Sequence, residues 1–272
     1  MHFKIFALAV LLFAIAPFAL ELKVYEPVST MVSDGETIDL GVVGPGQTAY
    51  VDVESEIKEG GIQGKGGRLD QLVFTSTPTG WETEPSKLYG VPMRAIIKVP
   101  ADASDGIYEL VMKAVDEGNK EQLGETMFKA RLAVSKDVLK IDVWPEKATT
   151  GAGQPAGYYV KISNTGVASD VFEVSSEGVP GWPYRQVAFV PKGSSKVVRY
   201  EVVGNEEQEY NVKISVRGFS SARLRAEKNV YLDINTNLAS DLQATGHGLL
   251  LFPIIEQPVY SIMGLVSNLF FR

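Results

Sequence analysis

The chain of 272 residues has no cysteine and only two histidines, His2 and His247. The first absence excludes disulfide scaffolds, thiolate nucleophiles, iron–sulfur clusters and cysteine-ligated zinc. The second leaves His247 as the one imidazole available to a Ser-His-Asp triad or a histidine metal site, and His247 adjoins an apolar C-terminal run. Positive charge is in deficit too: 26 Lys plus Arg against 33 Asp plus Glu leave a net charge of −7. Such a chain lacks the basic footprint that counterion release on nucleic acid requires, so nucleic acid is not an expected partner. No Asn-x-Ser/Thr sequon occurs, and N-glycosylation is not expected. Long helical periodicity is also missing between residue 21 and about residue 236.

What is present begins with two apolar ends. Lys4 precedes an uncharged stretch from Ile5 to Leu20, shorter than the ~20 residues of a spanning helix, which reads as a secretory signal helix over residues 1–20. Cleavage after Ala16 or after Ala19 and retention as an anchor all fit its small-residue pattern. At the other end, Gly248 to Phe271 holds a single charge, Glu256, before Arg272 closes the chain. Three forms of this C-terminal membrane segment (248–272) stay open: a span kinked at Pro253 and Pro258, an interfacial or re-entrant helix, or a buried terminal helix. A carboxylate in lipid faces protein or pairs with a partner, which makes Glu256 the candidate contact to a second membrane subunit; the alternative places Glu256 and Gln257 at a water interface between two shorter apolar pieces flanked by Pro253 and Pro258.

Between the ends run short apolar-alternating segments separated by Gly, Pro, Asn and Asp. Tyr50 to Val53, Met93 to Val99, Tyr108 to Val115, Met127 to Val134, Gly157 to Ser163 and Tyr210 to Val216 are examples, and many short strands so spaced imply a β-sandwich. Features recur in order. Leu22-Lys23-Val24-Tyr25-Glu26-Pro27 is echoed by Leu139-Lys140-Ile141-Asp142-Val143-Trp144-Pro145, and Pro78-Thr79-Gly80-Trp81 by Pro180-Gly181-Trp182. Gly106-Ile107-Tyr108-Glu109-Leu110 is echoed by Gln208-Glu209-Tyr210-Asn211-Val212. The expected organisation is two tandem sandwiches, 21–136 and 137–236, followed by a linker at 237–247.

Asn164-Thr165-Gly166, the Pro-x-Gly-Trp turns and Val99-Pro100-Ala101-Asp102-Ala103 resemble the prokaryotic Ig-like modules associated with alpha-galactosidases and with bacterial and archaeal surface proteins. The second copy departs from that pattern at Val202-Val203-Gly204-Asn205, where the Pro-Ala element is missing. The resemblance implies an all-β chain of two Ig-like sandwiches in a non-enzymatic surface protein, a spacer or binding accessory, and implies location more than ligand.

The candidate sites are few. Trp81 and Trp182 are read as core caps whose indole N–H bonds a carbonyl, against a role as sugar-stacking platforms. Trp144 is expected to fill the interface between the sandwiches and Tyr25 the outer end. The glycine-rich stretch 60–68 is not a phosphate loop, since Gly66 follows Lys65 where Ser or Thr is needed; it is a hairpin loop, with Gln63, Lys65 and Arg68 as candidate partner-binding residues. Asp102, Asp105 and Glu109 lack calcium-loop spacing. The basic-leaning connection 220–228 is expected to be an exposed loop, with lipid head groups or a neighbouring subunit as its alternative contacts. No catalytic residue, metal or cofactor is assigned.

The expectation is an exported, membrane-tethered tandem Ig-like interaction or scaffold protein of the cell envelope. Its expected partners are the lipid bilayer and an envelope protein or membrane subunit, with a glycan as a further candidate. The alternatives are an accessory subunit of a membrane complex, assembled through the C-terminal segment, and the carbohydrate-binding arm of a secreted hydrolase.

Overall fold

The computed structural model describes residues 20–235. The expected signal segment apart from Leu20, the linker, the C-terminal membrane segment and Glu256 lie outside the described residues.

The first sandwich contains β1 (Leu22–Glu26), β2 (Thr30–Val32), β3 (Thr37–Val43), β4 (Thr48–Val53), β5 (Glu56–Ile57) and β6 (Gly67–Arg68). It continues with β7 (Gln71–Ser76), β8 (Glu82–Glu84), β9 (Met93–Lys98), β10 (Gly106–Val115) and β11 (Glu125–Val134). One sheet has the order β2-β1-β4-β9-β8 and the facing sheet β3-β11-β10-β7, while β5 and β6 form a small separate hairpin. The second sandwich contains β12 (Leu139–Trp144), β13 (Lys147–Thr150), β14 (Pro155–Asn164), β15 (Asp170–Glu177), β16 (Arg185–Val190), β17 (Ser194–Val203), β18 (Glu209–Gly218) and β19 (Arg225–Ile234). Its sheets are β12-β14-β17 and β13-β19-β18-β15-β16.

In each sandwich the entering chain serves both sheets. It pairs antiparallel on one side (β1 with β4, β12 with β14), then crosses to run parallel to the last strand of the other (β3 with β11, β13 with β19). With the remaining pairings antiparallel, this is the connectivity of an Ig-like sandwich. The described chain is therefore all-β, and its only helical pieces are three-residue 3-10 turns.

Side-chain alternation produces these layers. In β11, Phe128, Ala130, Leu132 and Val134 face the core while Met127, Lys129 and Arg131 face out. In β14, Tyr158, Val160 and Ile162 face in while Tyr159 and Lys161 face out. The second core buries two tyrosines whose hydroxyls still find acceptors: Tyr158 donates to the Tyr231 carbonyl at 2.8 Å and Tyr200 to the Tyr184 carbonyl at 2.6 Å. Trp182 donates its indole N–H to the Glu201 carbonyl at 2.9 Å. Trp81 is buried, with its ring centroid 4.9 Å from that of Tyr108.

Trp144 does not fill the interface between the sandwiches. It sits at the end of β12 away from the first sandwich, on an outward position opposite Tyr159, with ring centroids 5.9 Å apart. Alternation along β12 puts Leu139 and Val143 inward, so Trp144 must point out.

The two sandwiches meet end to end at a built joint. Loops 164–170, 191–193 and 219–224 of the second face loops 44–47 and 99–105 of the first. Gln47, 1% exposed, donates through Nε2 to Asp170 Oδ2 at 3.1 Å, and Ser220 donates to the same oxygen at 2.5 Å. Ser221 donates to the Ala101 carbonyl at 2.6 Å, and Arg223 to the Asp102 carbonyl at 2.6 Å. A backbone bond joins Val167 N–H to the Val42 carbonyl at 2.8 Å, and Ala168 packs into the first core. The start of the connection 220–228 therefore serves the joint instead of forming a free exposed loop. Gly46 is required there: it has a φ of +75°, and a Cβ would lie 2.1 Å from the Ser220 carbonyl oxygen.

Candidate functional site

The end of the first sandwich opposite the joint carries three loops. Strand direction dictates this: β4 leaves the joint at Gln47 and delivers residues 54–70 to the far end, where 85–92 and 116–124 also emerge. Loops at one end of an Ig-like sandwich are its usual recognition surface, because the sheets hold them rigidly while their own sequence is free to vary.

Asp70 and Arg68 tie these loops together, and a second buried aspartate, Asp116, closes the third on itself. Asp70, 5% exposed, follows the apolar Leu69; its carboxylate accepts from Glu117 N–H at 2.7 Å and its carbonyl from Tyr89 N–H at 2.8 Å. Asp116 ends β10 on the same end, and its Oδ2 accepts from Glu121 N–H at 2.9 Å and Leu123 N–H at 3.2 Å. Arg68 donates through Nη2 to the Tyr89 carbonyl at 2.7 Å. One carboxylate that satisfies two or more loop amides holds a turn that would otherwise leave those donors unpaired, and charge-assisted bonds of this kind are the stronger ones.

The glycine-rich stretch is organised by the same neighbours. The β5–β6 hairpin brackets it, and Ile62 N–H donates to the Glu121 carbonyl at 3.0 Å. Gly66 has a φ of +77°, and a Cβ there would lie 2.0 Å from the Ile57 carbonyl oxygen, which accounts for glycine at this position.

Gln63 and Lys65 are exposed on this loop, Gln63 with a φ of +63°. Arg68 is half-buried and engaged with loop 85–92. These three thus share one end of the molecule with Leu88, Tyr89 and Val91, residues that sequence reasoning did not single out and that are 49%, 52% and 66% exposed. Their signal was available only as apolar residues in a segment without alternation. Tyr25 lies at this end too, on the outer face of β1, with Lys23 Nζ 5.0 Å from its ring centroid.

The other candidates are dispersed. Glu109 pairs with Lys129 at 3.1 Å and Arg131 at 3.6 Å, and the hydrogen bond from Lys129 is the main cause holding its carboxyl below the usual range. Asp102 lies at the joint. Among the described residues no group of three or more His, Cys, Asp and Glu side chains is placed to hold a metal ion.

No family model matches the chain, and no curated protein matches it. Among solved structures it is similar to the Yersinia pseudotuberculosis adhesin InvE, with 14% identity, a TM-score of 0.28 and coverage of 74% of this chain and 56% of that one. The chain thus spans just over half of the InvE structure. It is also similar to the D00-D0 domain of intimin, with 14% identity, a TM-score of 0.26 and coverage of 79% and 100%. The D0-D1 domain of intimin follows, with 9% identity, a TM-score of 0.25 and coverage of 70% and 93%.

Proposed function

We propose that this is an exported, non-enzymatic surface interaction protein that presents the loops 54–70, 85–92 and 116–124 to an envelope partner at the free end of an all-β double sandwich. The observation that carries this reading is the interlocking of those loops through Asp70 and Arg68, with Asp116 holding the third loop in shape. Preorganised loops avoid most of the ordering cost of binding. Their exposed Ile62, Leu88, Tyr89 and Val91 supply apolar contact. In this reading the C-terminal segment tethers the protein. The described chain ends at Asn235, beyond β19, which runs away from the joint, so a C-terminal tether leaves the loops farthest from the membrane.

The test is crosslinking and capture from native envelopes with the full chain and with a Leu88→Ser/Tyr89→Ser variant. A captured protein that disappears with this variant but persists with Val187→Ser/Phe189→Ser, on the outer face of the second sandwich, supports the reading. Equal capture by all three refutes it. If Glu256→Leu alone releases the partner, the protein is an accessory subunit assembled through its C-terminal segment.

A further inference from the structure

Two adjoining cavities open at the free end, sharing Glu54 and Glu56. The larger, about 670 Å³, lies among Leu20, Glu21, Met31, Glu59 and Leu123. The smaller, about 330 Å³, is lined by Tyr25, Ser55, Val91 and Pro92 and is mostly apolar.

Charge is distributed unevenly around them. Glutamates on the other strands are paired, as Glu84 with Lys98, Glu125 with Lys113, Glu177 with Lys213, Glu209 with Lys147 and Glu227 with Arg225, whereas the loop residues Glu36, Glu206 and Glu207 have no ion pair among the described residues. Glu21, Glu54, Glu56 and Glu59 border the cavities, and none of them forms an ion pair among the described residues. Only Lys23 and Lys58 offset them among the lining residues, and Lys23 is held over the Tyr25 ring. Desolvation, the field of Glu54, a hydrogen bond to the Glu54 carboxylate and the field of Glu56 raise the Tyr25 phenol above its ordinary pKa, in keeping with negative potential at this place. A second, independent feature is a buried polar group left open. Ser55 is 1% exposed, lines the smaller cavity, and its hydroxyl has no hydrogen-bond partner among the described residues. Buried hydroxyls are normally satisfied, and the one left open here lies in the wall of the apolar cavity.

We infer that this acidic-rimmed apolar groove binds a basic segment of a partner protein, with an arginine or lysine side chain held by Glu54 and Glu56 and an adjacent apolar side chain entering the cavity of Tyr25, Val91 and Pro92. The inference rests on the proposed function and adds the chemistry of the partner. Charge complementarity selects the cation, since carboxylates without an ion-pair partner gain more from a counter-charge than already paired ones do. The apolar lining selects a segment that mixes basic with apolar residues over a purely basic one.

The probe is a fluorescent capped peptide alternating arginine with leucine, read by anisotropy against the full chain in detergent micelles. Controls replace arginine by glutamate, or leucine by serine. The alternating peptide is expected to bind and both controls to fail. Glu54→Gln/Glu56→Gln should weaken binding about tenfold at low salt, with the difference shrinking as salt rises past about 0.3 M. Val91→Asp should weaken it at any salt. Glu206→Gln/Glu207→Gln, on the opposite end of the molecule, should leave it unchanged. Because all the glutamate changes lie on exposed or half-exposed positions, an unaltered melting temperature checks the fold.

Equal binding by the Glu54→Gln/Glu56→Gln variant, or equal binding of the leucine-to-serine peptide, overturns the inference. If the native partner is lost with Leu88→Ser/Tyr89→Ser but retained by Glu54→Gln/Glu56→Gln, the inference fails while the interaction function stands. If neither variant releases it, both fail.

Discussion

Asp170→Ala should uncouple the two sandwiches. The Asp170 carboxylate, 8% exposed, receives Gln47 Nε2 at 3.1 Å from the first sandwich and the Ser220 hydroxyl at 2.5 Å from its own. Its other oxygen accepts from Val171 N–H at 2.7 Å. A hydrogen bond to a charged group contributes about 1.5–3 kcal/mol, and a buried donor left unpaired costs about as much. Losing two such bonds at a joint where Gln47 is 1% exposed should cost about 3–6 kcal/mol, with the lower figure applying if water fills the vacated space. At about 2–4 °C per kcal/mol for a chain of this size, the melting temperature falls by at least about 6 °C. The Gln47 bond crosses between the sandwiches, while those from Ser220 and Val171 anchor the second sandwich's own side of the joint, and none lies inside either core. Calorimetry of the parent should therefore show one transition, and the variant two, with the first sandwich no longer supported by Ala168. Asp170→Asn, which keeps one acceptor, should fall between. A single transition within about 1 °C of the parent would refute the claim that this polar cluster holds the joint.

Tyr158 is buried in the second core, and desolvation pushes its pKa from the ordinary phenol value of 10.0 up to about 12. The unfolded chain releases this proton first, so stability is fully present below pH about 10 and is lost as pH rises toward about 12. Tyr158→Phe should lower stability by about 1 kcal/mol at neutral pH, through loss of the bond to Tyr231, yet flatten the alkaline limb of a denaturation-versus-pH curve. Gly66→Ala should abolish hydrogen-exchange protection of Ile62 N–H and leave the global melting temperature nearly unchanged, because the clash with Ile57 is confined to the hairpin. Trp182→Phe loses the bond to the Glu201 carbonyl and should destabilise by about 1 kcal/mol in urea unfolding, without changing the captured envelope partner.

The class of fold was legible because strand alternation is a local property. Phe128-x-Ala130-x-Leu132 or Tyr158-x-Val160-x-Ile162 can satisfy one buried face only by extending, wherever the sheet partner comes from. The Trp182 cap was legible for a similar reason, since a tryptophan after a tight turn has a short list of carbonyls within reach; for Trp81 it is the burial against Tyr108 that matches the expectation. The strand β16, Arg185–Val190, is harder to read: it lies at a sheet edge where the larger apolar residues Val187 and Phe189 are exposed while Ala188 and Val190 fill the core, so residue size does not tell the buried face from the open one.

The candidate site was only half legible. Gln63 and Lys65 announced themselves through glycine, but Arg68 serves Tyr89 twenty-one positions away and Asp70 holds Glu117 across an even longer separation, while Asp116 closes its own loop. Nothing local distinguishes an aspartate that caps a distant loop from one that ends a strand in water. Trp144 carries the same lesson, because its aromatic-proline neighbourhood suggested a domain interface that strand direction and parity then denied it. By itself the sequence determined which residues alternate, where turns must fall and which chemistries have no side chains to perform them, all functions of residue type and near neighbours. Only the tertiary structure decided which loops share an end, that Gln47, Asp170 and Ser220 weld two sandwiches into one body, and that unpaired glutamates gather around an apolar groove, since each of these depends on chain segments far apart in sequence being brought together by the sheets.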